Sequence, residues 1–172
     1  MAARRSVGRT RDPTVARADL RSPDRVSARP ENLQQGPPDA DLIGVTDGPR
    51  VLVADDEDDI RALVGVAVRR AGCALIGSCA DGEDAFATAR AELPDLVVLD
   101  VSMPGRTGLE VCAALRQDPA TAGIRVLLLS AGASADDIAR GLAAGADAYL
   151  PKPFSVAHLV GEVRARAAGQ PA

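Results

Sequence analysis

The sequence predicts an α/β fold: a five-stranded parallel sheet in the order 2-1-3-4-5, doubly wound by five helices. Three observations lead there. Short apolar runs alternate with helical repeats five times between Arg50 and Ala168. The runs "RVLVAD" and "DLVVLD" are apolar without interruption, as strands covered on both faces require. Hydrophobic content is 47% but aromatic content only 2%, so the core is built from Val, Leu, Ile and Ala.

The elements follow in order. Strand 1 is "RVLVAD", ending on acid, and Ile60, Leu63, Val64, Ala67 and Val68 recur at helical spacing as far as Ala71, where Gly72 stops the helix. "CALIGSCA" reads as strand 2. "DGEDAFATARAEL" supplies a turn, early acids and apolar Ala85, Phe86 and Ala89, a second helix ended before Pro94. "DLVVLD" is strand 3, and helix 3 runs from Gly108 to Arg116, closed by Asp118 and Pro119. "IRVLLLSA" is strand 4, Asp136 to Ala144 is helix 4 with Gly145 after it, and "DAYLP" is a short strand 5. Ser155 opens a last helix running to about Ala168.

Residues 1–49 differ in kind. They are rich in Arg, Pro, Asp and Ser, lack apolar periodicity, and read as a disordered arm ahead of a folded domain over 50–172. Eight arginines stand against three aspartates over residues 1–30, and four acids against no base over 31–49. A basic arm can bind nucleic acid or an anionic membrane, yet this one has no aromatic to stack on bases, and a solvated tail is the plainer expectation. No apolar stretch reaches bilayer-spanning length and no secretory h-region opens the chain. Cys73, Cys79 and Cys112 are odd in number without CxxC spacing, which fits reduced thiols in a cytoplasmic protein.

The strand ends carry the chemistry. Open parallel sheets form sites beyond the carboxyl ends of their strands, where the strand order reverses. In the flavodoxin-like order that point lies between strands 1 and 3. Strand 1 ends on Asp55 and Asp56 and strand 3 on Asp100, so three carboxylates meet in one crevice. Two carboxylates about 4 Å apart repel by roughly 4 kcal/mol at an effective dielectric near 20. A hard divalent cation such as Mg²⁺ reverses that sign. Glu57, Asp58 and Asp59 are better read as helix-start or surface acids. Ser130 ends strand 4, and Lys152, the only lysine beside 19 arginines, follows strand 5 in "YLPKPF". A lone lysine suits a place that needs a compact point charge.

With these residues assembled, the chain from Arg50 to Ala168 resembles the receiver domains of two-component response regulators. The resemblance rests on "DDE", "DVSMPG", "SA" and "GADAYLPKPF", with Asp100 44 residues after Asp56, Ser130 30 after Asp100 and Lys152 22 after Ser130. It implies that Asp100 accepts a phosphoryl group from a sensor histidine kinase or phosphotransfer protein. It also implies that Asp55, Asp56, Asp100 and the backbone carbonyl of Ser102 hold Mg²⁺, and that Lys152 holds the acyl phosphate. Ser130 then turns to the new oxygens and the rotamer of Tyr149 follows, changing the surface of helix 4, strand 5 and helix 5. Tyr149 also reads as a plain half-buried core aromatic. The family often has a cis bond at the position of Lys152-Pro153, and it tunes hydrolysis at the positions of Ser102 and Gly132.

Rival readings fit less well. A flavin-binding relative would need a Ser/Thr/Gly phosphate loop where "DDEDD" stands. An aspartate-nucleophile phosphatase would need a second Asp where Ser102 stands. The chain is therefore expected to be a switch and not an enzyme, the alternative being a phosphate-independent protein-binding module. One helix follows Phe154, so the receiver is expected to stand alone, with no DNA-binding domain, and to act on an unnamed protein target or as a homodimer formed on phosphorylation. His158 reads as a surface residue and Met103 as loop packing.

Overall fold

The computed structural model describes residues 47–169, so most of the expected arm over 1–49 and the last three residues lie outside the described part. The elements are β1 (Arg50–Ala54), α1 (Asp58–Arg70), β2 (Ala74–Cys79), α2 (Gly82–Glu92), β3 (Leu96–Asp100), α3 (Gly108–Gln117), β4 (Arg125–Ser130), α4 (Ala135–Ala143), β5 (Ala148–Pro151) and α5 (Val156–Ala167). Every pairing is parallel and the sheet order is β2-β1-β3-β4-β5, as the alternation of runs predicts. Gly48 and Pro49, just ahead of β1, pack against the turn after α1 and the start of β2. The Pro49 carbonyl accepts a hydrogen bond from the Ala74 N–H at 2.9 Å, and Gly48 lies against the Gly72 carbonyl so closely that a Cβ would sit 2.1 Å from its oxygen.

The central strands β1, β3 and β4 are buried along almost their whole length, which explains their unbroken apolar runs. Alternate residues serve opposite faces. Val51, Val53, Leu96, Val98, Leu127 and Leu129 pack with Val64, Val68, Leu159 and Val163 of α1 and α5. Leu52, Ala54, Val97, Leu99, Val126 and Leu128 pack with Ala85 and Ala89 of α2 and Val111, Cys112 and Leu115 of α3. Both layers are small aliphatic side chains, as the aromatic-poor composition requires.

Helix starts are set by caps. Asp81, Thr107, Ser134 and Ser155 each accept a backbone N–H from the first turn of α2, α3, α4 and α5. α2 ends on Leu93 at φ 47, a left-handed turn that Pro94 follows. No described helix is long and apolar enough to cross a membrane.

Candidate functional site

The switch point between β1 and β3 carries the cluster the sequence points to. β1 delivers Asp55 just past its last residue, and the backbone puts its side chain fully inside. β3 ends on Asp100, 4% exposed. β5 and the turn after it bring Lys152 across, helped by a bond from its N–H to the Ser130 carbonyl at 2.6 Å. The Lys152–Pro153 peptide is cis.

The Lys152 ammonium donates to Asp100 Oδ1 at 2.7 Å and to Asp55 Oδ2 at 3.0 Å, and Glu57 Oε1 lies 3.6 Å away. Asp100 Oδ2 accepts the Ser102 N–H at 2.7 Å, and Asp55 Oδ1 accepts the Glu57 N–H at 2.9 Å. The Arg61 guanidinium holds the Asp55 carbonyl at 2.6 Å. Both acids are thus fixed at each oxygen. Burial pushes the Asp55 carboxyl above the ordinary aspartate value, and the Lys152 bond only partly offsets it. Burial also works against the Lys152 ammonium, but the bonds and charges of Asp100 and Asp55 outweigh it and hold Lys152 above the ordinary lysine value. The two directions pull differently on one pair. Both follow from a single ammonium shared between two buried acids: the lysine gains two partners while Asp55 has half of one.

Asp56 is exposed at the mouth and forms no ion pair or side-chain hydrogen bond among the described residues. Ser130 is 5% exposed, and its Oγ accepts the Gly132 N–H at 3.0 Å and not a site group. Tyr149 is half-buried, its hydroxyl donating to the Gly132 carbonyl at 2.8 Å. Gly132 therefore ties Ser130 and Tyr149 together through one residue's backbone. Glu57, read as a helix-start or surface acid, is a surface one: it occupies the N-cap of α1 without a side-chain cap bond, and its exposed carboxylate turns toward Lys152. Nothing in the local sequence signals that, because its partner Lys152 belongs to the far end of the chain. His158 is exposed and Met103 is buried in the apolar layer, as expected.

The donor set suits a hard cation. Asp55, Asp56, Glu57 and Asp100 oppose one ammonium, and every acidic donor is oxygen. No group of three His, Cys, Asp or Glu among the described residues converges tightly enough to enclose an ion alone. Mg²⁺ does not ask for that, since it takes one or two carboxylates and completes its shell with carbonyls and water. A larger hollow of about 530 Å³ beside α3, lined by Glu83, Arg106, Glu110 and Gln117 among others, lacks a buried nucleophile.

Fold and crevice together define an open parallel α/β domain with a carboxylate and a lysine converging at its switch point. Residues 51–164 match the response regulator receiver domain, and the chain belongs to that family. It is 40% identical over 119 residues to the DNA-binding response regulator MtrA of Mycolicibacterium smegmatis, covering 68% of this chain and 50% of MtrA. It is 43% identical over 122 residues to the transcriptional regulatory protein PrrA of Mycobacterium tuberculosis, covering 71% of this chain and 51% of PrrA. Among solved structures, the signal receiver domain of the response regulator NarL from Mycobacterium tuberculosis superposes with a TM-score of 0.67 at 34% identity, covering 72% of this chain and 98% of that one.

Membership assigns a phosphorylation-dependent signalling role and the character of a switch. It also corrects one expectation. The chain spans about half the length of MtrA and PrrA, which are named for DNA binding and transcriptional regulation. The matched segment is the receiver part of longer regulators, so the reading that no DNA-binding domain belongs with this receiver does not stand.

Proposed function

We propose that Asp100 is the phosphoryl acceptor of a Mg²⁺-dependent switch, served by a histidine kinase or phosphotransfer protein in the cytoplasm. The observation that carries this is the 2.7 Å contact between Lys152 and a nearly buried Asp100 at the carboxyl end of β3. A carboxylate oxygen of Asp100 attacks the donor's phosphorus, and the bond from phosphorus to the donor breaks, its electron pair leaving with the imidazole nitrogen or acetate. Lys152, already pointed at that carboxylate, passes from it to the incoming phosphoryl oxygens. Asp55, Asp56, Asp100 and the Ser102 carbonyl would hold Mg²⁺, which neutralises negative charge on the transferring group when bound. A hollow of about 300 Å³ lined by Ile60, Leu63, Pro153 and Phe154 opens beside Lys152 and gives a donor protein apolar footing.

The output follows from Gly132. When Ser130 leaves the Gly132 N–H to donate to a phosphoryl oxygen, the segment that also anchors the Tyr149 hydroxyl is released, and the α4–β5–α5 face changes. A partner protein or a second copy reads that face. The names of MtrA and PrrA make a DNA-bound output the first class of target to test. Tyr149 is the only tyrosine and the chain has no tryptophan, so its fluorescence reports this site alone. Beryllofluoride with Mg²⁺ should change that fluorescence in the wild type and leave Asp100→Asn unchanged. A phosphate-independent binding module would show no change in either.

A further inference from the structure

We infer that Glu57 is a positioning residue for phosphoryl entry, a counter-ion that shares Lys152 before transfer and opposes the incoming anion. The inference rests on Asp100 being the acceptor. Four of the five helices turn their N-cap side chain onto the first turn, whereas α1 does not: Glu57 makes no cap bond, and its carboxylate stands 3.6 Å from the Lys152 ammonium. The helix start forgoes that bond, and the charge goes to the mouth of the crevice instead. The position is also distinct from those of Asp55 and Asp100. They are buried, but the Glu57 side chain is 66% exposed and reaches Lys152 from the solvent side, the side a donor must come from.

Two consequences follow. Glu57 draws Lys152 outward against the pull of Asp100 and Asp55, and it places a negative charge where a phosphoryl dianion must pass. When Asp100 attacks acetyl phosphate, a bond forms from its oxygen to phosphorus, and acetate leaves with the electrons of the broken P–O bond. The phosphoryl oxygens then replace Glu57 at the ammonium. Loss of the Glu57 charge eases entry and leaves Lys152 held by its two shorter partners. Because Glu57 is exposed, the effect is modest and screened by salt.

The test is the rate of adduct formation by the full chain at saturating Mg²⁺, followed by intact mass, for wild type, Glu57→Gln and Glu57→Asp. Two donors are compared: acetyl phosphate, and phosphoramidate, whose protonated nitrogen lowers its net negative charge. Glu57→Gln should react with acetyl phosphate about two- to fivefold faster than wild type. The gain should be smaller with phosphoramidate and should shrink as salt is added, while Glu57→Asp, which keeps the charge, stays near wild type. Equal rates for Glu57→Gln and wild type, or the same gain with both donors, would overturn the inference while leaving the acceptor reading intact. A wild type that forms no adduct with either donor removes both.

Discussion

Lys152 is asked to neutralise more charge than it carries. It touches Asp100 and Asp55 closely and Glu57 more loosely, and the deficit falls on Asp55, whose carboxyl burial pushes upward. The sign of the resulting pH dependence follows directly. Between the ordinary aspartate value and the raised one, folded Asp55 keeps a proton that the unfolded chain has released, so stability falls as pH rises through that window. The capping acids Glu110 and Asp137 act oppositely: their bonds to Thr107 and Ser134 lower their values, so their contribution is lost as pH falls. The difference between wild type and Asp55→Asn isolates the one group. Thermal midpoints of the metal-free protein should fall with rising pH more steeply in wild type than in Asp55→Asn, and parallel slopes would contradict the account. Asp55, Asp100 and Lys152 were legible in the sequence because each sits at the end of a recognisable run. Glu57 was not, because side-chain direction at a helix start is decided by a partner in a distant turn.

Among the elements, the join of β3 to α3 carries most of the precision. A Cβ on Gly108 would lie 2.2 Å from the Asp100 carbonyl oxygen, so the first residue of α3 sits directly on the backbone of Asp100. Gly108→Ala must push that strand end or tilt the helix. It should cost about 1–3 kcal/mol and slow phosphorylation more than an alanine at Gly123, around which a Cβ finds open space. Equal effects on phosphorylation at the two positions would contradict a positional role. Gly141 does similar service on α4, where a Cβ would meet the Tyr149 ring at 2.6 Å. Arg116 then pins the end of α4 to the sheet, donating to the Gly145 carbonyl at 2.9 Å, the Ile124 carbonyl at 2.7 Å and Asp147 at 2.9 Å. Helix starts and stops were readable from Ser155, Gly72 and Pro94. These close approaches were not, since a glycine's neighbour across the fold leaves no mark on the residues beside it.

Across the whole molecule, charge is polarised by the same rule that orients the helices. α1 to α4 begin with acids and end with arginines. In a parallel α/β fold all those starts face the end of the sheet that holds Asp55 and Asp100. That end of the sheet therefore presents an acidic rim, and under the proposed function an anionic phosphoryl donor would need a cation and Lys152 to offset it. Strand order was legible from five alternations and the unbroken runs of β1, β3 and β4. The relation to DNA-binding regulators was not, because it concerns protein length beyond the matched receiver. The most direct test of the central claim is intact mass after incubation with acetyl phosphate and Mg²⁺, wild type beside Asp100→Asn. The account predicts one phosphoryl adduct on the wild type, not formed when Mg²⁺ is chelated beforehand and absent from the variant. An adduct of equal yield on Asp100→Asn, or one indifferent to Mg²⁺, would contradict it.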